Sequence, residues 1–138
     1  MPSTPWGMWF PLPNETRNFS FDFKLLIVKP QQSTSLQKHQ FHDEEWKFLT
    51  SCTIIRGLDD VVRVNAGETV LILRDTWHAI VNPRKDQDVY VYEKRIGHLY
   101  LNPLQREEDI ERVYDLYGRG DDFPPTLKQR MFQPIAKL

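Results

Sequence analysis

Residues 52–82 read CTIIRGLDDVVRVNAGETVLILRDTWHAIVN. Within them CTIIR, VVRV, ETVLILR and HAIV are short runs rich in β-branched residues. The breaks carry turn chemistry, at Gly57-Leu58-Asp59-Asp60, Asn65-Ala66-Gly67 and Asn82-Pro83. Branching at Cβ favours the pleated backbone, while Gly, Asn and Pro supply the dihedrals a reversal needs. The same grammar extends outward through KLLIVK (24–29) and EWKFLTS (45–51) on one side, and DVYVYEKR (88–95) and HLYL (98–101) on the other. Short, frequent strands with no helical pattern between them predict an antiparallel sandwich or barrel. Parallel βαβ units are excluded, because each needs a crossover helix.

The flanks read differently. Residues 1–20 hold four of the ten prolines together with Trp6, Trp9 and Phe10, which predicts an irregular arm packed on something else, such as a neighbouring subunit. The barrel is expected over 21–101, and a helix with an extended tail over 102–138. Asn102-Pro103 offers an N-cap and a first-turn proline, and Gln105 takes the capping-box position. Ile110, Val113, Tyr114 and Tyr117 then form an i, i+3, i+4, i+7 stripe that stops at Gly118. Pro124, Pro125 and Pro134 predict an extended tail after it.

Composition bounds the function. The chain has 138 residues, of which 40% are hydrophobic and 12% aromatic, so one globular domain with a real core is expected. Its 18 Lys+Arg against 19 Asp+Glu give no basic excess, which argues against nucleic acid or an anionic membrane as partner. Cys52 is the single cysteine, so the chain holds no internal disulfide and no thiolate zinc cluster. With no apolar run approaching a membrane span, a soluble protein in the reducing cytoplasm is expected.

The chemistry concentrates on four histidines, at 39, 42, 78 and 98, two of them within KHQFHDEEW (38–46). Imidazole and carboxylate together suit Zn, Mn, Fe, Co or Ni. With a period of two, His39 and Phe41 share a face of a strand and His42 lies opposite, unless the chain turns there.

The spacing of Gly67, Leu73, Asp75, His78 and Asn82 resembles the second motif of the cupin superfamily, with Leu73 and Asp75 in its proline and glycine places. The first motif is matched in register by His39 and Glu45, with Ser33, Phe41 and Cys52 at its other positions. This resemblance implies an all-β jelly-roll, the double-stranded β-helix. It also implies a divalent metal held by His39, Glu45 and His78.

A closer resemblance is carried by Pro5-Trp6-Gly7, KLLIVKP (24–30), SLQKH (35–39), Glu44 with Trp46, Asp109-Ile110, and Tyr114-Asp115-Leu116-Tyr117-Gly118-Arg119. Together they look like the C-terminal cupin domain of type II phosphomannose isomerases, enzymes in which that domain is fused to a mannose-1-phosphate guanylyltransferase. Phe41, His42 and Glu45 stand where that family has His, Arg and His. The resemblance implies interconversion of an aldose and a ketose sugar phosphate. For that reaction Glu44 is the expected base and His42 a second acid/base, with Lys38, Arg74 and Arg95 on the phosphate. It also implies a homodimer, and a chain of this length is expected to lack the guanylyltransferase half. Two classes stay open: a stand-alone isomerase or sugar-nucleotide epimerase, and a binding cupin that keeps the pocket without turnover.

Overall fold

The computed structural model describes residues 3–12, 21–97 and 109–135. Strand after strand follows the β-branched runs: β3 (Phe21–Val28), β5 (Asp43–Phe48), β6 (Cys52–Arg56), β7 (Asp60–Val64), β8 (Thr69–Ile72), β9 (His78–Val81) and β10 (Val89–Ile96). Shorter pieces complete them: β1 (Ser3–Thr4), β2 (Gly7–Leu12), β4 (Leu36–Lys38) and β11 (Glu111–Tyr114). They form two antiparallel sheets, one in the order β1-β2-β3-β10-β5-β8 and the other β11-β4-β9-β6-β7. This is the all-β jelly-roll that the sequence implies. The β7–β8 reversal rests on Gly67, whose φ of 90° places it in the left-handed region at no steric cost.

The interior is built by alternation. On β10, Val89, Val91, Glu93 and Arg95 face inward, and on β3 they are met by Val28, Leu26, Lys24 and Asp22 in register. One end of the barrel is therefore apolar, closed by Val28, Trp46, Phe48, Ile54, Ile80, Val89 and Val91. The inward row turns charged at the other end, and the site lies there. A second apolar cluster covers the outside of the five-stranded sheet: Leu36, Ile55, Ala79 and Val81 pack under Phe123, Leu127 and Met131.

Three expectations change. Over Gly7–Leu12 the arm is not irregular: β2 pairs with β3 of its own chain from Gly7↔Val28 to Leu12↔Phe23. Gly7 makes this possible, since a Cβ there would stand 1.9 Å from the Ile27 carbonyl oxygen. Nor is the described part of the expected helix helical. Glu111–Tyr114 is a strand that pairs with β4, because a Val-Tyr segment beside an open edge gains a ladder partner; residues 102–108 lie outside the described residues, as does His98. Finally, the tail is not wholly extended. Pro125–Met131 forms the helix α1, started by proline in its first turn, where a missing N–H costs nothing. Among the described residues no helix is long and apolar enough to cross a membrane.

Candidate metal centre and substrate cavity

The segment between β4 and β5 turns at residues 40–42, and this resets the parity of the strand that follows. Glu44, Trp46 and Phe48 then point inward and are buried, while Glu45 and Lys47 point out. His39 at the end of β4, Glu44 on β5 and His78 at the start of β9 consequently meet across the barrel. His39 Nε2 lies 3.2 Å from Glu44 Oε1 and His78 Nε2 3.4 Å from Glu44 Oε2. Asp75, in the left-handed region at φ 61°, donates its N–H to the His39 carbonyl at 2.7 Å and ties the approach to His78 onto the first histidine. Asp stands there in the glycine place of the motif, and it is among the few residues that tolerate that conformation.

The orientation of the rings is fixed from behind. His39 Nδ1–H donates to the Asp109 carbonyl at 2.5 Å, and His78 Nδ1–H to the Thr76 carbonyl at 2.8 Å. With Nδ1 committed, Nε2 is the nitrogen that each ring turns toward the centre, the one with which such a histidine ligates metals. Among the described residues His78 Nε2 is buried without a hydrogen-bond partner. The ligating atoms of His39, Glu44 and His78 lie within 4.8 Å of one another. Two imidazoles and one carboxylate with a side open to the cavity fit a divalent ion of the Zn, Mn, Fe, Co or Ni group.

The electrostatics agree. Burial raises the Glu44 carboxyl, but the facing His78, His39 and His42 rings more than offset this and hold it well below the ordinary carboxylate range. Burial pushes His78 below the ordinary imidazole value, so its lone pair is available. Burial lowers His39, but the hydrogen bond and charge of Glu44, with the bond to the Asp109 carbonyl, together outweigh it and raise the ring above its ordinary value. A second buried carboxyl, Glu93, stands beside the first. Trp46 Nε1–H donates to Glu44 Oε2 at 2.9 Å and reaches Glu93 Oε1 at 3.4 Å. Burial, and then the negative charge of Glu44, raise Glu93 to about 7.

These groups form the floor of a cavity of about 390 Å³ walled by Trp6, Trp9, Leu26, Ile80 and Ile110. Its basic side chains are Lys24 and Arg95 from the six-stranded sheet and Arg112 and Arg119 from the C-terminal segment. Arg95 is forked onto Asp22, with Nε 2.7 Å from Oδ1, and Arg119 onto Asp115 at 3.0 and 3.1 Å. Lys24 lies 4.1 Å over the Trp9 ring.

Of the residues expected from sequence, His39, His42, Glu44, His78 and Arg95 converge here. Three do not. Glu45 is on the outer face of β5, cross-strand from Leu71 and Lys94, and Glu44 takes its place among the histidines. Arg74 is exposed and bound to Asp43, and Lys38 sits over the Trp77 ring beside Glu111, outside the cavity. Phe41, in the place of a histidine ligand, is also exposed. Glu93, Lys24 and Arg112 had no motif to announce them. The inward parity of KLLIVK and DVYVYEKR carried the only signal for Lys24 and Glu93.

The sequence matches the family described as mannose-6-phosphate isomerase, C-terminal, over residues 3–115. The chain belongs to that family. Among its relatives, the xanthan biosynthesis protein XanB of Xanthomonas campestris pv. campestris (strain B100) is 30% identical over 83% of this chain and 23% of its own length. The mannose-1-phosphate guanylyltransferase of Escherichia coli (strain K12) is 28% identical over 83% of this chain and 22% of its own. The chain thus spans about a quarter of the length of the curated relatives it matches. Among solved structures, the capsular polysaccharide assembling protein CapF from Staphylococcus aureus aligns over 83% of this chain and 32% of its own, with a TM-score of 0.67 and 17% identity. A cupin 2 domain-containing protein from Halorhodospira halophila aligns over 64% of this chain and 62% of its own, with a TM-score of 0.57 and 16% identity. At those identities the likeness shows the cupin fold alone.

Proposed function

We propose that this cupin is a metal-dependent sugar-phosphate isomerase that interconverts mannose 6-phosphate and the corresponding ketose phosphate. The observation that carries this reading is the polarity of the cavity. Its floor holds a three-donor metal set and a second carboxyl near neutrality, and Lys24, Arg95, Arg112 and Arg119 lie along its walls. A ligand that carries both reactive oxygens and a phosphate matches that lining.

His39, Glu44 and His78 would hold the divalent ion, which when bound supplies a Lewis acid for the sugar's carbonyl oxygen. The chain supplies the proton chemistry. Glu93 takes the proton from C2 of the open-chain aldose and returns it to C1, so one C–H bond breaks and another forms. A carboxyl raised to about 7 suits both directions of that transfer. His42, backed by the Asp109 carboxylate, moves the hydroxyl proton from O2 to O1. Glu44, the base expected from the sequence, serves as ligand in this scheme. Arg112, whose Nε–H donates to Ser35 Oγ at 3.2 Å, and Lys24, over the Trp9 ring, would take the phosphate.

A second reading, a binding cupin without turnover, is favoured by one feature: Asp22 and Asp115 already neutralise Arg95 and Arg119. A coupled assay with mannose 6-phosphate separates the two. The isomerase reading expects turnover that is lost on chelation and restored by a divalent metal; calorimetric binding with no turnover under any of these metals ends it. Two copies are expected to pair through the outer face of the six-stranded sheet, where Leu71, Tyr90 and Tyr92 are exposed. Light scattering on the wild type and on Tyr92→Lys tests this, and a monomeric wild type refutes it.

A further inference from the structure

Asp109 lies 70 positions beyond His39, yet its polar atoms are spent on the turn that carries the site. One carboxylate oxygen, Oδ1, accepts the backbone N–H of Gln40 at 2.8 Å and of Phe41 at 3.2 Å. The other, Oδ2, accepts from His42 Nδ1 at 2.6 Å, and the main-chain carbonyl of the same residue takes His39 Nδ1–H at 2.5 Å. A single buried residue therefore holds four donors from four consecutive positions, 39 to 42. His39 and His42 stack on each other at 4.1 Å between centroids, so the bonds from Asp109 set the two rings together.

We infer that Asp109 is the positioning residue of the centre: its carboxylate holds the proton of His42 on Nδ1 and turns Nε2 toward Glu44, while its carbonyl aims His39. This rests on the isomerase reading for what His42 does, but not for where Asp109 puts it. The physical reason is the one that governs any imidazole with two distinct nitrogens. A carboxylate on one nitrogen sets which atom carries hydrogen and which faces the reaction. With His42 Nδ1 bound to Asp109 Oδ2, Nε2 lies 3.3 Å from Glu44 Oε1, inside the cavity. The turn at 40–42, which sets the parity of β5 and so brings Glu44 inward, is held by the same carboxylate. An amide in its place can still accept the Gln40 and Phe41 N–H groups through its oxygen. It then offers an N–H to His42 Nδ1, and the hydrogen of the ring must move to Nε2.

The test uses the full chain with 15N-labelled histidine, observed by ring-nitrogen NMR without metal and at one fixed pH. In the wild type, His42 Nδ1 is expected to carry a proton, and a bare Nδ1 overturns the inference without any variant. Asp109→Asn is expected to shift both His42 ring nitrogens and leave those of His78 in place; unchanged His42 signals overturn it. In the coupled assay Asp109→Asn should lower kcat roughly 100-fold or more with a smaller effect on KM. Set on His42→Gln it should lower kcat no further, because both changes remove the same proton transfer. Additive losses overturn the inference. A wild-type chain that has no isomerase turnover ends the functional reading alone, since the ring spectra still decide what Asp109 does. Should Asp109→Asn fail to fold, the wild-type spectrum remains the deciding measurement.

Discussion

Glu44 and Glu45 are adjacent residues of identical chemistry, and the fold gives them opposite environments. Glu44 is buried among three imidazoles, while Glu45 faces outward beside Leu71 and Lys94. Only Glu44 is placed to ligate a divalent ion with His39 and His78. Glu44→Gln removes the anionic donor and is expected to weaken cobalt or zinc binding by roughly 100-fold or more, beyond the loss typical of a supporting residue. Glu45→Gln is expected to leave affinity unchanged. Calorimetric titration of both variants checks this, and the reverse order would return the ligand role to Glu45. Cys52 illustrates the same dependence on environment. It is fully buried in the main core, and burial pushes its thiol far up, so the thiolate, which is the reactive form, is absent near neutrality. A disulfide reagent at about pH 8 is expected to leave Cys52 untouched in the folded chain and to modify it stoichiometrically in denaturant. Ready labelling of the native protein would contradict that burial.

At the scale of elements, the turn after β11 shows how a cavity wall is assembled from a local device. Asp115 is buried and accepts three bonds from Arg119, from its N–H at 2.8 Å, Nε at 3.0 Å and Nη2 at 3.1 Å. Burial raises the Asp115 carboxyl, but the Arg119 hydrogen bonds outweigh it and bring it below the ordinary value. A carboxyl depressed in the folded state adds stability that is fully present above its unfolded pKa. That stability is lost as the pH falls through the folded value. Asp115→Asn is therefore expected to cost about 2 kcal/mol near neutral pH, with the difference from wild type shrinking below about pH 4. Denaturant melts across that range measure it, and a pH-independent difference would assign the loss to packing instead. The same elements show what was legible beforehand. Strands β3 and β5 to β10 were readable because β-branching and turn residues act locally. The cupin spacing located His39 and His78 for the same reason. The choice between Glu44 and Glu45 was not readable, because it depends on a turn at 40–42 that is held by Asp109, far away in sequence. The 3.6-residue stripe at 110–117 pointed to a helix because periodicity alone does not register an open strand edge. Glu111–Tyr114 found that edge at β4.

On the scale of the whole molecule, the two sheets solve the same problem differently. Each has an inner face that joins the common core, and each must do something with its outer one. The six-stranded sheet leaves Leu71, Tyr90 and Tyr92 exposed on its outer face. The five-stranded sheet covers its own with the C-terminal segment: Phe123, Leu127 and Met131 settle on Leu36, Ile55, Ala79 and Val81. Arg63 pins the far end through Nη2–H to the Gln133 carbonyl at 2.6 Å. The tail that the prolines suggested was extended is thus part of the core, and its removal is felt as a core mutation. Met131 is fully buried, so Met131→Ala should cost about 2–5 kcal/mol. For a domain of this size that corresponds to a fall of roughly 6–20 °C in Tm, taking about 3–4 °C per kcal/mol. The cavity lies on the other side of the sheet and α1 contributes nothing to it, so metal affinity measured below the melting transition is expected to match wild type. Thermal melts and metal titrations on the same variant separate the two properties. A lowered affinity with an unchanged Tm would mean that the C-terminal segment serves the site rather than the sheet it covers.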